Sequence, residues 1–130
     1  MSTSAPDPLV AESRRWLRLA KDDLLGAGAL LERDDVAPRI ACFLAQQAAE
    51  KAIKASLTRR GIDFPRTHDL VALRALLPDD LRRGVDLDAA KELSAWAVTG
   101  RYPGDAPDAT REQAQQAVEL ASGIVSPRGR

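Results

Sequence analysis

The sequence predicts an all-α fold, an antiparallel up-and-down bundle of four to five helices, and three observations carry that prediction. Apolar residues recur at spacings of three and four in several separate segments, each bounded by a start or stop signal. Hydrophobic residues make up 45% of the chain but aromatic residues only 4%, so the core has to be built from Leu, Ala, Val and Ile, which favours packed helices. No stretch alternates apolar and polar residues as a half-buried strand does, and there is no internal repeat or low-complexity tract. A chain of this size buries roughly two-thirds of the surface it exposes when unfolded, enough for one core. Residues 8–126 are therefore read as a single domain between flexible ends at 1–7 and 127–130.

Asp7 and Pro8 open the first helix, an N-cap followed by proline at a position whose N–H is not needed. Trp16, Leu17, Ala20, Leu24, Ala27 and Leu31 then define one buried face to about Glu32, with Arg14, Arg15, Arg18, Lys21 and Asp22 mostly elsewhere. Asp34 or Asp35 is expected to cap a second helix, with Pro38 in its first turn, running through Arg60 to a stop at Gly61. GIDFPRT is a loop with Phe64 as its apolar anchor, and Thr67 is expected to cap a short third helix whose Leu70, Leu73 and Leu77 face inward until Pro78. One turn is expected around Leu81. Asp86 or Asp88 caps the next helix, with Ala89, Leu93, Trp96 and Ala97 inward and Gly100 as its stop. After RYPGDAPDA, Thr110 and Gln113 form a capping box for a last amphipathic helix through Val125.

Charge and composition narrow the function. Lys plus Arg and Asp plus Glu both number 19, so no global positive field draws the chain to a phosphate backbone. With one cysteine, Cys42, and one histidine, His68, neither an internal disulfide nor a Cys/His zinc site is expected, and no cofactor is expected. MSTSAPDP lacks the charged and apolar regions of a signal peptide, and no apolar run approaches the roughly 20 residues needed to span a bilayer. The chain is read as cytoplasmic, without a membrane partner.

Three constellations can carry function. On the second helix Ala41, Ala45, Ala48, Ala52 and Ala55 repeat at 4, 3, 4, 3 and keep one face free of bulk, suited either to packing on the first helix or to self-association. Beside that stripe, in QQAAEKAIK, Gln47, Lys51 and Lys54 lie along one line and Gln46, Glu50 and Lys54 along the next. Glu50 and Lys54 read as an i,i+4 pair worth about 0.2–0.5 kcal/mol on a solvated face, or as part of a polar seam meeting a partner or a loop. In PRTHDL, His68 can act near neutral pH and Arg60 or Arg66 can stabilise a phosphoryl group, but a glycine and a proline separate His68 from Arg60. The structural reading places His68 and Asp69 in the first turn after a Thr67 cap. In RYPGD, Arg101 follows a helix stop, and Tyr102 is held extended by the next proline. Glycine-rich phosphate cradles, nucleophile elbows, paired-carboxylate motifs and EF-hand spacings are absent.

CFLAQQAAEKAIKASL, FPRTHDLVAL and RYPGD, in that order, resemble the HEPN domain, the higher-eukaryote and prokaryote nucleotide-binding domain, over about residues 14 to 125. The resemblance implies a helical bundle that is commonly a homodimer and often encoded beside a minimal nucleotidyltransferase, in some cases as a toxin–antitoxin-like pair. Members that are metal-independent ribonucleases carry an Arg-x4–6-His motif. Here seven residues, Gly61 and Pro65 among them, separate Arg60 from His68, so that motif is not met. The chain looks closer to the nucleotidyltransferase-associated branch, which implies a non-catalytic protein that binds a nucleotide or that partner. The candidate binding residues are His68, Asp69, Arg101, Tyr102, Gln47 and Lys51. The alternatives are a ribonuclease toxin acting on RNA through Arg60, Arg66 and His68, and a structural scaffold. The THDL and RYP segments are expected to meet at one end of the bundle.

Overall fold

Helix α1 (Pro8–Leu31) and helix α2 (Pro38–Arg59) form an antiparallel hairpin, in a computed structural model that describes residues 7–97 and 108–127. Their register follows from small residues. The Ser13 hydroxyl donates to the Ala55 carbonyl at 2.7 Å, and Gly26 lies against Leu44 near the other end. Asp7 caps α1 as the sequence predicts, accepting from Leu9 N–H.

The start of α2 differs from expectation. Its N-cap is Ala37, without a side-chain bond, and Pro38 at the first position removes one of the N–H groups a cap would serve. Asp35 instead pairs with Arg33 at 2.7 Å. The end of α2 is as the sequence predicts. Gly61 takes a left-handed φ of 69°, its N–H bonds the Thr58 carbonyl, and Ile62 N–H reaches back to Leu57, a double closure that favours glycine.

The third leg is assembled from short pieces: α3 (Leu70–Ala75), α4 (Asp79–Arg82) and α5 (Leu87–Ser94), which runs into a 3₁₀ turn at Ala95–Ala97. Asp86 caps α5 through Ala89 N–H. Helix α3 is capped by Asp69, which accepts from Val71 and Ala72 N–H, and not by Thr67, whose hydroxyl instead accepts from Asp69 N–H. His68 therefore precedes the helix and lies in the loop. Helix α6 (Arg111–Val125) begins with the predicted Thr110–Gln113 capping box. Its start meets the end of α1, where Arg111 bonds the Leu31 carbonyl, and its end lies with Ser13 and Leu17, so α6 runs antiparallel to α1 and parallel to α2.

Helix α2 is the central element. Leu57, Ile53, Leu70, Leu73 and Leu93 are fully or almost fully buried around it. Ala41, Ala45, Ala48, Ala52 and Ala55 are all buried within the chain, so the alanine stripe serves internal packing; the alternative of a self-association face along it is set aside. The face of α2 left open carries Ile40 and Phe43, 42% and 45% exposed. Among the described residues no helix is long and apolar enough to cross a membrane.

Candidate functional site

After Gly61 the chain runs back along α2, with Phe64 seated beside Trp16 at 6.3 Å between ring centroids, until His68 reaches the level of Gln46 and Glu50. Ten residues of helix separate Glu50 from Arg60, about 15 Å of axial rise, so a nine-residue extended loop is what brings the histidine back into the body of the bundle.

There it meets a carboxylate that is only 3% exposed. Glu50 Oε1 accepts from His68 Nδ1 at 2.8 Å and from Gln46 Nε2 at 3.1 Å, while Oε2 accepts from Lys54 Nζ at 2.9 Å. The Gln46 amide also donates to the His68 carbonyl at 3.1 Å and accepts from Gln47 Nε2 at 2.7 Å. Lys54 lies over both aromatic rings, 5.5 Å from the centroid of Trp16 and 5.6 Å from that of Phe64. Burial pushes the Glu50 carboxyl up, but the hydrogen bonds from Lys54, His68 and Gln46 and the Lys54 charge outweigh it, leaving it below the ordinary value of 4.5. The carboxylate is therefore ionised at neutral pH.

This corrects the solvated-face reading of Glu50 and Lys54. The pair belongs to a buried seam that fastens the THDL loop, in agreement with the seam alternative. A partial signal is present in the sequence: small or apolar residues on several sides of α2 imply that it is covered on more than one of them, without naming Glu50 as buried.

The other candidate residues separate. Gln47 is half-buried and orders Gln46, and Lys51 is tied to Asp23 of α1 at 2.5 Å. Arg60 is held by Asp80 at 2.6 Å near the far end of α2, and Arg66 is exposed on the loop. Asp69 is committed to capping α3. Arg101 and Tyr102 lie outside the described residues, as does Gly100. The end of α5, however, sits against the THDL loop. Ser94 Oγ accepts from Leu70 N–H at 2.8 Å, so the described chain before residue 98 ends beside His68. Thr67, His68, Asp69, Lys91 and Ser94 line an open depression of about 590 Å³ there. Cys42 is fully buried, and burial pushes its thiol up to about 11, which leaves it unreactive at neutral pH. Among the described residues no group of acidic, histidine and cysteine side chains can hold a metal.

The described chain is a four-legged helical bundle whose one histidine is presented at the surface and gripped from within by a buried glutamate. The chain belongs to the HEPN family: the HEPN domain model matches residues 13–128. It is similar to the crystal structure of TT1696 from Thermus thermophilus, with 35% identity, a TM-score of 0.73, and coverage of 87% of this chain and 92% of that one. It is also similar to ST0689, an archaeal HEPN homologue, with 29% identity, a TM-score of 0.65, and coverage of 87% and 91%. No curated protein matches.

Proposed function

We propose that this HEPN protein is a non-catalytic binding module of the nucleotidyltransferase-associated branch. It engages a minimal nucleotidyltransferase partner or a nucleotide through the THDL loop and the adjoining end of α5, as one half of a toxin–antitoxin-like pair in the cytoplasm. The observation that carries this reading is the burial of Glu50 beneath His68: four polar side chains of α2 are devoted to fixing one loop whose histidine side chain remains 58% exposed. A merely structural loop does not require an exposed ring held from inside. Assembly as a homodimer is part of the reading, and the uncovered Ile40 and Phe43 face of α2 is then its place.

The ribonuclease alternative through Arg60 meets a geometric objection within one chain, one that does not bear on Arg66. Arg60 is paired with Asp80 about 15 Å along α2 from the Glu50 that holds His68, too far for both to contact one phosphate. Co-expression with a minimal nucleotidyltransferase from the same genome, followed by size-exclusion chromatography and calorimetry with nucleotides, tests the proposal. A complex or a saturable heat that weakens in His68→Ala supports it. Absence of both, or histidine-dependent cleavage of cellular RNA in EDTA, overturns it.

A further inference from the structure

The hydrogen bonding around His68 fixes more than its position. Glu50 is an ionised acceptor, so the nitrogen 2.8 Å from it, Nδ1, must carry a hydrogen in either protonation state of the ring. In the neutral ring Nε2 is then a bare acceptor; in the protonated ring it is a second donor, with a carboxylate directly behind the positive charge. The bond to Glu50 engages Nδ1, which leaves Nε2 outside that bond on a side chain that is 58% exposed.

The depression beside the ring supplies the complement. Lys91 lines it from α5, and Thr67, whose hydroxyl oxygen already accepts from Asp69 N–H, has its hydrogen left to donate. Among the described residues the carboxylate on the rim is Asp69, whose Oδ1 is engaged by two backbone N–H groups at 2.9 and 3.3 Å. An imidazole, an ammonium and a hydroxyl thus border one open space, contributed by the loop and by α5 and backed by Glu50 of α2. Donors of this kind lining one depression suit a tetrahedral oxyanion.

We infer that this depression binds a phosphate-type oxyanion through His68 Nε2, Lys91 Nζ and the Thr67 hydroxyl, with Glu50 as the positioning residue that keeps Nε2 turned outward. The inference rests on the reading of the THDL loop as the recognition surface and names the chemistry it recognises. Binding takes up a proton from solvent at Nε2 whenever the free ring is neutral. The charged and titratable groups around His68 are Glu50 and, through it, Lys54 on α2, Lys91 on α5, and Asp69 with the exposed Arg66 on its own loop.

The chain has one histidine, so its ring nitrogens can be followed by ¹H–¹⁵N NMR without assignment ambiguity. The probes are inorganic phosphate, ATP and adenosine. The expected result is a ring locked with hydrogen on Nδ1, and Nε2 signals that shift saturably with phosphate or ATP but not with adenosine. A response to ATP alone identifies a nucleotide's phosphates as the source; a comparable response to inorganic phosphate identifies free phosphate. Lys91→Gln should weaken the response by about fivefold or more without changing the tautomer. Glu50→Gln should release the tautomer; if that variant does not fold, Lys91→Gln and the tautomer of the unmodified protein decide. No shift at tens of millimolar probe, or a shift indifferent to Lys91→Gln, overturns the inference. If the nucleotidyltransferase complex still forms in that case, the preceding proposal stands without it.

Discussion

Helix α2 buries two rows of side chains, and they do opposite things. Along one side Ala41, Ala45, Ala48, Ala52 and Ala55 bring neighbouring helices close and leave no polar group to satisfy. Along the other, Gln46, Glu50 and Lys54 are buried just as deeply, 0%, 3% and 9% exposed, yet they carry two charges and an amide. The first row is shape alone. The second has to compensate its own desolvation through hydrogen bonds, and replacing such a cluster by apolar side chains of similar volume is often neutral or stabilising. A buried ionic row next to an alanine row therefore points away from stability and toward what the row holds, the His68 loop.

The largest break in this comparison is Glu50→Ala, which leaves Lys54 and His68 without their acceptor and should cost about 3–5 kcal/mol in urea unfolding. Glu50→Leu combined with Lys54→Met should recover most of that loss, and recovery without return of His68-dependent binding would sharpen the contrast. Ala48→Leu attacks the other row. Overpacking at a fully buried position should cost about 1–3 kcal/mol, and the loss should appear in the monomer's own unfolding at every protein concentration.

Acid is a gentler probe of the polar row alone. The Glu50 carboxyl is held below 4.5 in the fold, so its contribution is complete above that value and disappears as pH falls through the lower folded one. Urea midpoints should decline over that window, and the decline should be shallower in Glu50→Gln. Smallest of all, Glu12→Ala removes an exposed pair with Arg15 at 2.5 Å and should change stability by less than about 0.5 kcal/mol, marking the scale of an ordinary surface contact.

The long helices are legible in the sequence because their signals are local. Aspartate and proline at residues 7 and 8, Gly61 after α2, and the Thr110–Gln113 box each act within one turn, and the apolar spacing of α1 and α6 names the face that is buried. The cap of α3 is less so: Thr67, two residues early, and Asp69 are both competent acceptors, and the choice depends on where the returning loop sets its backbone. The buried state of Glu50 is not legible from an i,i+4 spacing, which looks the same on a wet face. It depends on residues 61–69 folding back over α2, a tertiary event with no local code. The THDL loop lies beside the end of α5, while the RYP segment expected to meet it lies outside the described residues.

The parallel placement of α6 against α2 has a consequence for a chain emerging from a ribosome. The α1–α2 hairpin is complete by residue 60, whereas α6, the last cover of its alanine side, is synthesised only from residue 111 onward. During that interval the hairpin must wait with its flank open, and at about 5–20 residues per second the wait lasts seconds. A flank of leucines would offer neighbouring nascent chains a broad adhesive surface. A flank of alanines exposes far less apolar area for the same close final approach, so the small side chains that let α6 settle tightly at the end also keep the unfinished protein from sticking in the meantime.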